Sequence, residues 1–103
     1  MSKYSGKIYK LTNENTDKIY IGSTAERYLC IRMAKHKNNY LRSLANLCNK
    51  TTAAEILKLG GKTKIELIEE IPNYNNKQEL YNREKYYIDL NKNIVVNKNL
   101  KSL

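Results

Sequence analysis

The sequence predicts an α/β protein of the α+β sandwich kind, a three-stranded and mainly antiparallel sheet flanked by helices. Three observations predict it. Residues 7–11 and 18–22 are short Ile-Tyr runs on either side of a polar segment, the pattern of two paired strands. Residues 64–71 are rich in Ile, Leu and Glu and end at Pro72, which reads as a strand with a stop. Residues 77–90 repeat apolar side chains at helical spacing. With 103 residues, no linker and no internal repeat, residues 1–103 read as one domain, since cores divide only beyond roughly 250 residues.

Each element has a local reason. Thr12 through Asp17 form the polar turn of a hairpin with a loop of about five residues. Gly22-Ser23-Thr24 end the second strand and offer Ser23 or Thr24 as a helix N-cap. A helical pattern follows from Ala25 to about Leu47, with a break expected in the Asn-rich part after Lys37. Thr51 or Thr52 can cap a short helix through Ala53, Ala54, Ile56 and Leu57, stopped by Gly60-Gly61. The third strand runs to Pro72, residues 73–76 make a loop, and residues 77–90 form the best helix. A short Ile94-Val95-Val96 stretch and a polar tail close the chain.

Composition narrows the partners. Nineteen Lys and Arg stand against 10 Asp and Glu, a formal charge of +9, which on so small a domain favours a polyanion, nucleic acid first and an acidic membrane surface second. Fifteen of the cations are Lys and 14 residues are Asn, a bias that AT-rich coding also produces, so charge alone does not decide. The cations are dispersed, with Lys7, Lys10 and Lys18 early and Lys35, Lys37 and Arg42 later. Dispersed lysines suit the phosphate backbone better than base edges. The chain has no cationic amphipathic helix with a strong apolar face, and no run near the roughly 18 apolar residues of a membrane span. It lacks an apolar leader of the secretory kind. Cys30 and Cys48 make no disulfide framework and no CxxC pair, the usage of an intracellular protein with reduced thiols. A single histidine excludes a His-rich zinc site.

Polar groups fall on otherwise buried faces at three places. On the last helix, Leu80, Tyr81, Glu84, Tyr87 and Ile88 share a stripe, so Glu84 projects into an apolar-aromatic face and needs a cation, a donor or a proton. An ion pair with Arg83, Lys85 or a distant Lys would serve equally. On the first helix, Leu29, Arg32, Met33, His36 and Tyr40 share a face. Arg32 and His36 lie one turn apart and suit a phosphate, the guanidinium gripping oxygens and the imidazole relaying a proton; a solvated face is the plainer reading. Tyr9 and Tyr20 occupy equivalent places on neighbouring strands, either as a cross-strand pair or with hydroxyls offered to a phosphate or its attacking water.

Taken together, these elements resemble the GIY-YIG nuclease family, and look most like the catalytic domains of phage group I intron homing endonucleases. The matching residues are Gly6-Lys7-Ile8-Tyr9, Tyr20-Ile21-Gly22-Ser23, Arg32 with His36, Glu66 through Pro72, Arg83-Glu84-Lys85-Tyr86-Tyr87-Ile88 and Asn97, in order over about residues 6–97. The first triplet departs from the family pattern, with Lys7 before Ile8-Tyr9, and Val95-Val96 precede Asn97 where relatives often have Gly-Tyr. The second histidine of some homing enzymes has no counterpart, leaving its role to water or Tyr40.

The resemblance implies an endonuclease that hydrolyses DNA phosphodiester bonds, RNA not being excluded. It implies Tyr9 as general base or aligner of the attacking water with Tyr20 beside it, Arg32 on the phosphate, His36 in proton transfer, and Asn97 as a hydrogen-bonding support. Glu84 would hold a single divalent ion, Mg²⁺ or Mn²⁺, on the leaving-group side. A tyrosine base needs neighbouring cations to lower its pKa from about 10, and Lys7, Lys10 and Lys18 are the sequence-near candidates. With Lys35 and Lys37 they are also the expected DNA contacts. The alternative is a non-catalytic, basic nucleic-acid-binding domain that keeps the fold, or more plainly a structural subunit of a larger assembly. A chain this short, spent on one core, is expected to select sequence weakly, or to borrow specificity from a dimer mate or partner protein.

Overall fold

A computed structural model describes residues 5–45, 52–72 and 76–96. It contains strands β1 (Ser5–Asn13), β2 (Thr16–Thr24) and β3 (Thr63–Pro72), and helices α1 (Leu29–Leu44), α2 (Ala54–Leu57) and α3 (Lys77–Leu90). The sheet order is β2-β1-β3, with β1 antiparallel to both neighbours.

Alternation along β1 gives the sheet two buried faces. Tyr9 and Leu11 lie on one, packed with Met33 of α1 and with Ala53 and Ile56 around α2. Ile8 lies on the other, with Ile19 and Ile21 of β2 and Ile88 of α3. The layers are therefore α1 and α2, the sheet, and α3. Each fully buried Ile contributes about 1.5–3 kcal/mol of transfer free energy, so the central strand, closed on both faces, is the anchor of the fold.

The hairpin is tighter than the sequence predicts. Asn13 pairs with Thr16 across a two-residue turn, Glu14-Asn15, rather than a loop of about five. The cause is the Asn13 side chain. Its Oδ1 accepts from the Asn15 amide at 2.7 Å, while Nδ2 donates to the Gly60 carbonyl at 2.8 Å and to Thr63 Oγ1 at 2.9 Å. One buried amide thus ties the hairpin tip to the end of α2 and the start of β3. Gly60 and Gly61, at φ 70° and 69°, take the left-handed turn between them.

Two helix boundaries also differ from expectation. α1 begins at Leu29, not Ala25, and Tyr28 at its N-cap supplies no side-chain bond. Thr24 Oγ1 instead accepts from the Glu26 amide at 3.1 Å, and Ser23 is turned toward α3. The Asn-rich stretch does not break α1, which stays helical through Asn38 and Asn39 because Met33 and His36 pin one face to the sheet. β3 starts at Thr63 and takes in Pro72, while α3 has the predicted bounds, with Asn76 Oδ1 accepting from the Glu79 amide at 3.2 Å. Ile94-Val95-Val96 lies along β2, where Ile19 bonds the Ile94 carbonyl and the Val96 amide, both at 2.8 Å, and so covers an open sheet edge.

Candidate active site

Tyr9 is the hub. It is 0% exposed, on the central strand beneath α1. Its hydroxyl oxygen accepts from Arg32 Nε at 3.1 Å and lies 2.6 Å from His36 Nε2. Tyr20 stands beside it in the same layer. In the His36 tautomer that carries its proton on Nδ1, the phenolic proton of Tyr9 is donated to Nε2. Tyr9 and Tyr20 are not cross-strand partners: Tyr9 pairs with Gly22 and Tyr20 with Leu11. Their rings sit on a diagonal, centroids 6.4 Å apart, and each faces the His36 ring.

Gly22 makes this possible. A Cβ there would stand 2.5 Å from the Tyr9 hydroxyl oxygen and 2.7 Å from the ring carbon bearing it, so the phenol reaches Arg32 only over a bare backbone. Arg32 and His36 arrive on adjacent turns of one face of α1, the spacing read in the sequence. The outcome differs for Tyr40, which lines a separate groove with Lys37, Leu41 and Leu57.

Glu84 approaches from the other layer. Ser23, on the Ile8 face of β2, donates to Glu84 Oε1 at 2.7 Å. The stripe on α3 is narrower than expected, since Leu80 and Ile88 are buried but Tyr81 is 53% exposed. Arg83 does not pair with Glu84. It donates to Glu69 Oε1 of β3 from Nε at 3.0 Å and from a terminal nitrogen at 2.9 Å, and Tyr87 donates to that oxygen at 2.9 Å. Among the described residues Glu84 has no ion pair. Asn97 lies outside the described residues, as does Cys48.

Burial sets the protonation states. It pushes the Tyr9 and Tyr20 hydroxyls above their ordinary value, against the Arg32 guanidinium, which favours the phenolates. It lowers His36 to about 4, helped by the Arg32 charge. It raises Glu84, against the Ser23 bond and Arg32. The expected depression of Tyr9 by Lys7, Lys10 and Lys18 does not occur, because those amino groups are engaged elsewhere. Lys7 donates to the Glu26 carbonyl at 3.2 Å and stands 3.9 Å from Glu70. Lys10 meets Glu66 at 3.7 Å and Lys18 the Asn93 carbonyl at 3.4 Å. Lys35 is paired with Glu26. Three of the five lysines expected on DNA thus face a carboxylate of the protein, Lys18 meets only a carbonyl, and Lys37 lies in the groove beside Tyr40.

Glu84 fits a divalent ion. It is a half-buried carboxylate without an ion-pair partner among the described residues, held by one hydroxyl. A hard cation can take such a group and complete its shell with water and phosphate oxygens. No group of three or more His, Cys, Asp or Glu gathers as a protein cage among the described residues.

An arginine, a buried imidazole and two phenols thus gather on one side of the sheet, with a carboxylate across its end. The model of the GIY-YIG catalytic domain matches residues 5–99. The chain belongs to the GIY-YIG family and is a nuclease. Comparison with curated proteins and with solved structures gives no match. No helix among the described residues is long and apolar enough to cross a membrane.

Sequence reading missed three residues. Ser23 passed for a helix cap, although its place beside Gly22 on a strand end puts alternate side chains toward opposite layers. Glu69 and Tyr87 passed for ordinary strand and helix positions. Only the pairing of β3 against α3 reveals that they hold Arg83.

Proposed function

We propose that this nuclease hydrolyses DNA phosphodiester bonds as a divalent-metal-dependent endonuclease acting inside the cell. The observation that carries the reading is the continuous chain Arg32–Tyr9–His36, joined through the one phenol oxygen.

A phosphate entering beside Arg32 meets the guanidinium, which stabilises charge growing on its oxygens. The same phosphate offsets the Arg32 charge that, after burial, holds His36 low, so the imidazole becomes a better acceptor. The attacking water lies against the Tyr9 oxygen. As it attacks phosphorus, its proton passes to that oxygen while the Tyr9 proton passes to His36 Nε2. No free phenolate accumulates, which is how a tyrosine with a raised pKa serves near neutral pH. Tyr20 steadies the water. Glu84 would hold one Mg²⁺ or Mn²⁺, which supplies Lewis-acid stabilisation to the leaving oxygen when bound. Asn97 is assigned a supporting hydrogen bond on the strength of the family pattern alone.

Relaxation of supercoiled plasmid in Mg²⁺ or Mn²⁺, set against EDTA, tests the reading. Metal-dependent nicking by the wild type, lost in Arg32→Ala and Glu84→Gln, is the expected result. Salt-sensitive DNA binding with no cutting under any metal would return the chain to the binding-domain alternative.

A further inference from the structure

We propose that the site takes a DNA strand whose bases are unpaired around the scissile phosphate, with Tyr28 and Tyr81 stacking the flanking bases. This rests on Arg32 and Glu84 as the phosphate site.

Two grooves meet at Ala25. One, of about 260 Å³, runs past Ser23, Arg32, Lys77, Leu80 and Tyr81. The other, of about 600 Å³, runs past Ser5, Lys7, Arg27, Tyr28 and Glu70. The two adjoining grooves make up the trough, Arg32 lining the first, and each carries one exposed tyrosine, Tyr81 at 53% in the first and Tyr28 at 54% in the second.

Tyr28 is the N-cap residue of α1, four places before Arg32, and Tyr81 lies three places before Glu84 on α3, which makes it a neighbour of Glu84 on that helix. Each also sits beside a cation. Arg27 lies 5.4 Å from the Tyr28 ring centroid, and Lys77 precedes Tyr81 by one turn. Single exposed tyrosines are ordinary on a protein surface. Two of them, each with a cation, in adjoining grooves of which one is walled by Arg32, are the pattern of single-strand recognition, in which every base offers a π face and the backbone follows the positive charge.

A paired duplex uses such rings poorly, because its base faces are stacked on each other. Glu70 is the one carboxylate on the trough wall, and it is held by Ser5 at 2.5 Å and Lys7 at 3.9 Å, so its charge is partly met.

The test measures fluorescence anisotropy of the full chain in EDTA with a labelled single-stranded oligonucleotide and with the same sequence fully paired. Tyr28→Leu, Tyr81→Leu and the two Phe variants are compared with wild type after their folding is checked by circular dichroism. The Leu variants are expected to lose about 5- to 100-fold in single-strand affinity, the range that one stacked base carries, while duplex affinity changes less than about twofold and the Phe variants match wild type. With metal, a duplex carrying an unpaired flap is expected to be cut at least about tenfold faster than the paired one, for the same reason. Unchanged single-strand binding in both Leu variants, or equal losses on both DNAs, would overturn the proposal. Because binding is read without metal, the outcome stands even if no cleavage occurs. Cutting of the paired and the flapped duplex at equal rates by the wild type would overturn the stacking while leaving the nuclease reading intact.

Discussion

His36 is 3% exposed, and burial beside Arg32 holds it at about 4, far below its ordinary 6.5. The folded protein therefore resists a proton that the unfolded chain accepts. The stability this group contributes is present above pH 6.5 and lost as pH falls from there toward 4. The size is on the order of 3 kcal/mol. Urea unfolding at pH 7 and pH 4 measures it, and His36→Asn is expected to lose that much less stability across the interval than wild type. Gly22 makes the opposite demand on space. Gly22→Ala drives a methyl into the Tyr9 hydroxyl, and cleavage is expected to fall at least about tenfold while the helical circular dichroism signal stays near that of wild type, since a displacement of about 1 Å at a reacting group suffices. The resemblance named Tyr9, Arg32, His36 and Glu84, and the fold brings the first three into contact. It did not reveal that the cation near Tyr9 is Arg32 and not a lysine, because Lys7, Lys10 and Lys18 find partners elsewhere that only the fold brings to them.

Helix α3 shows what periodicity captures and what it leaves out. Its bounds were legible from the apolar repeat and Asn76. Its rotation was not, since that depends on the clamp of Arg83 and Tyr87 on Glu69 across to β3, with Arg83 also stacked 4.5 Å from the Tyr86 ring centroid. The clamp is largely at the surface, so its contribution is to orientation more than to stability. Ile88, 3% exposed under the sheet, is different. Ile88→Ala is expected to cost about 2–5 kcal/mol in denaturant unfolding. Arg83→Ala is expected to cost much less, yet to slow cleavage by loosening the helix that carries Glu84. At the hairpin, the short turn escaped the sequence reading because Asn13 looks like one more polar loop residue until its amide is seen buried among three acceptors.

Across the whole molecule the +9 charge is less uniform than its total implies. Lys10 and Lys35 are committed to Glu66 and Glu26, whereas Lys77 lines the trough beside Arg32. Lys77→Ala is therefore expected to weaken DNA binding and to reduce the slope of log affinity against log salt by about 0.7–0.9, the value of one phosphate contact. Lys10→Ala is expected to leave the slope near that of wild type. The layered fold was legible from three strand and helix patterns. The trough was not, because it is assembled from the end of β2, the start of α1 and the start of α3, which are distant in sequence. Removing a single atom tests the central claim most directly. Tyr9→Phe keeps the buried ring and deletes only the oxygen that joins Arg32 to His36. Single-turnover cleavage of a labelled DNA by this variant should fall about 10²- to 10⁴-fold, the range of a proton-transfer group, with DNA affinity unchanged. Cleavage at the wild-type rate would contradict the account.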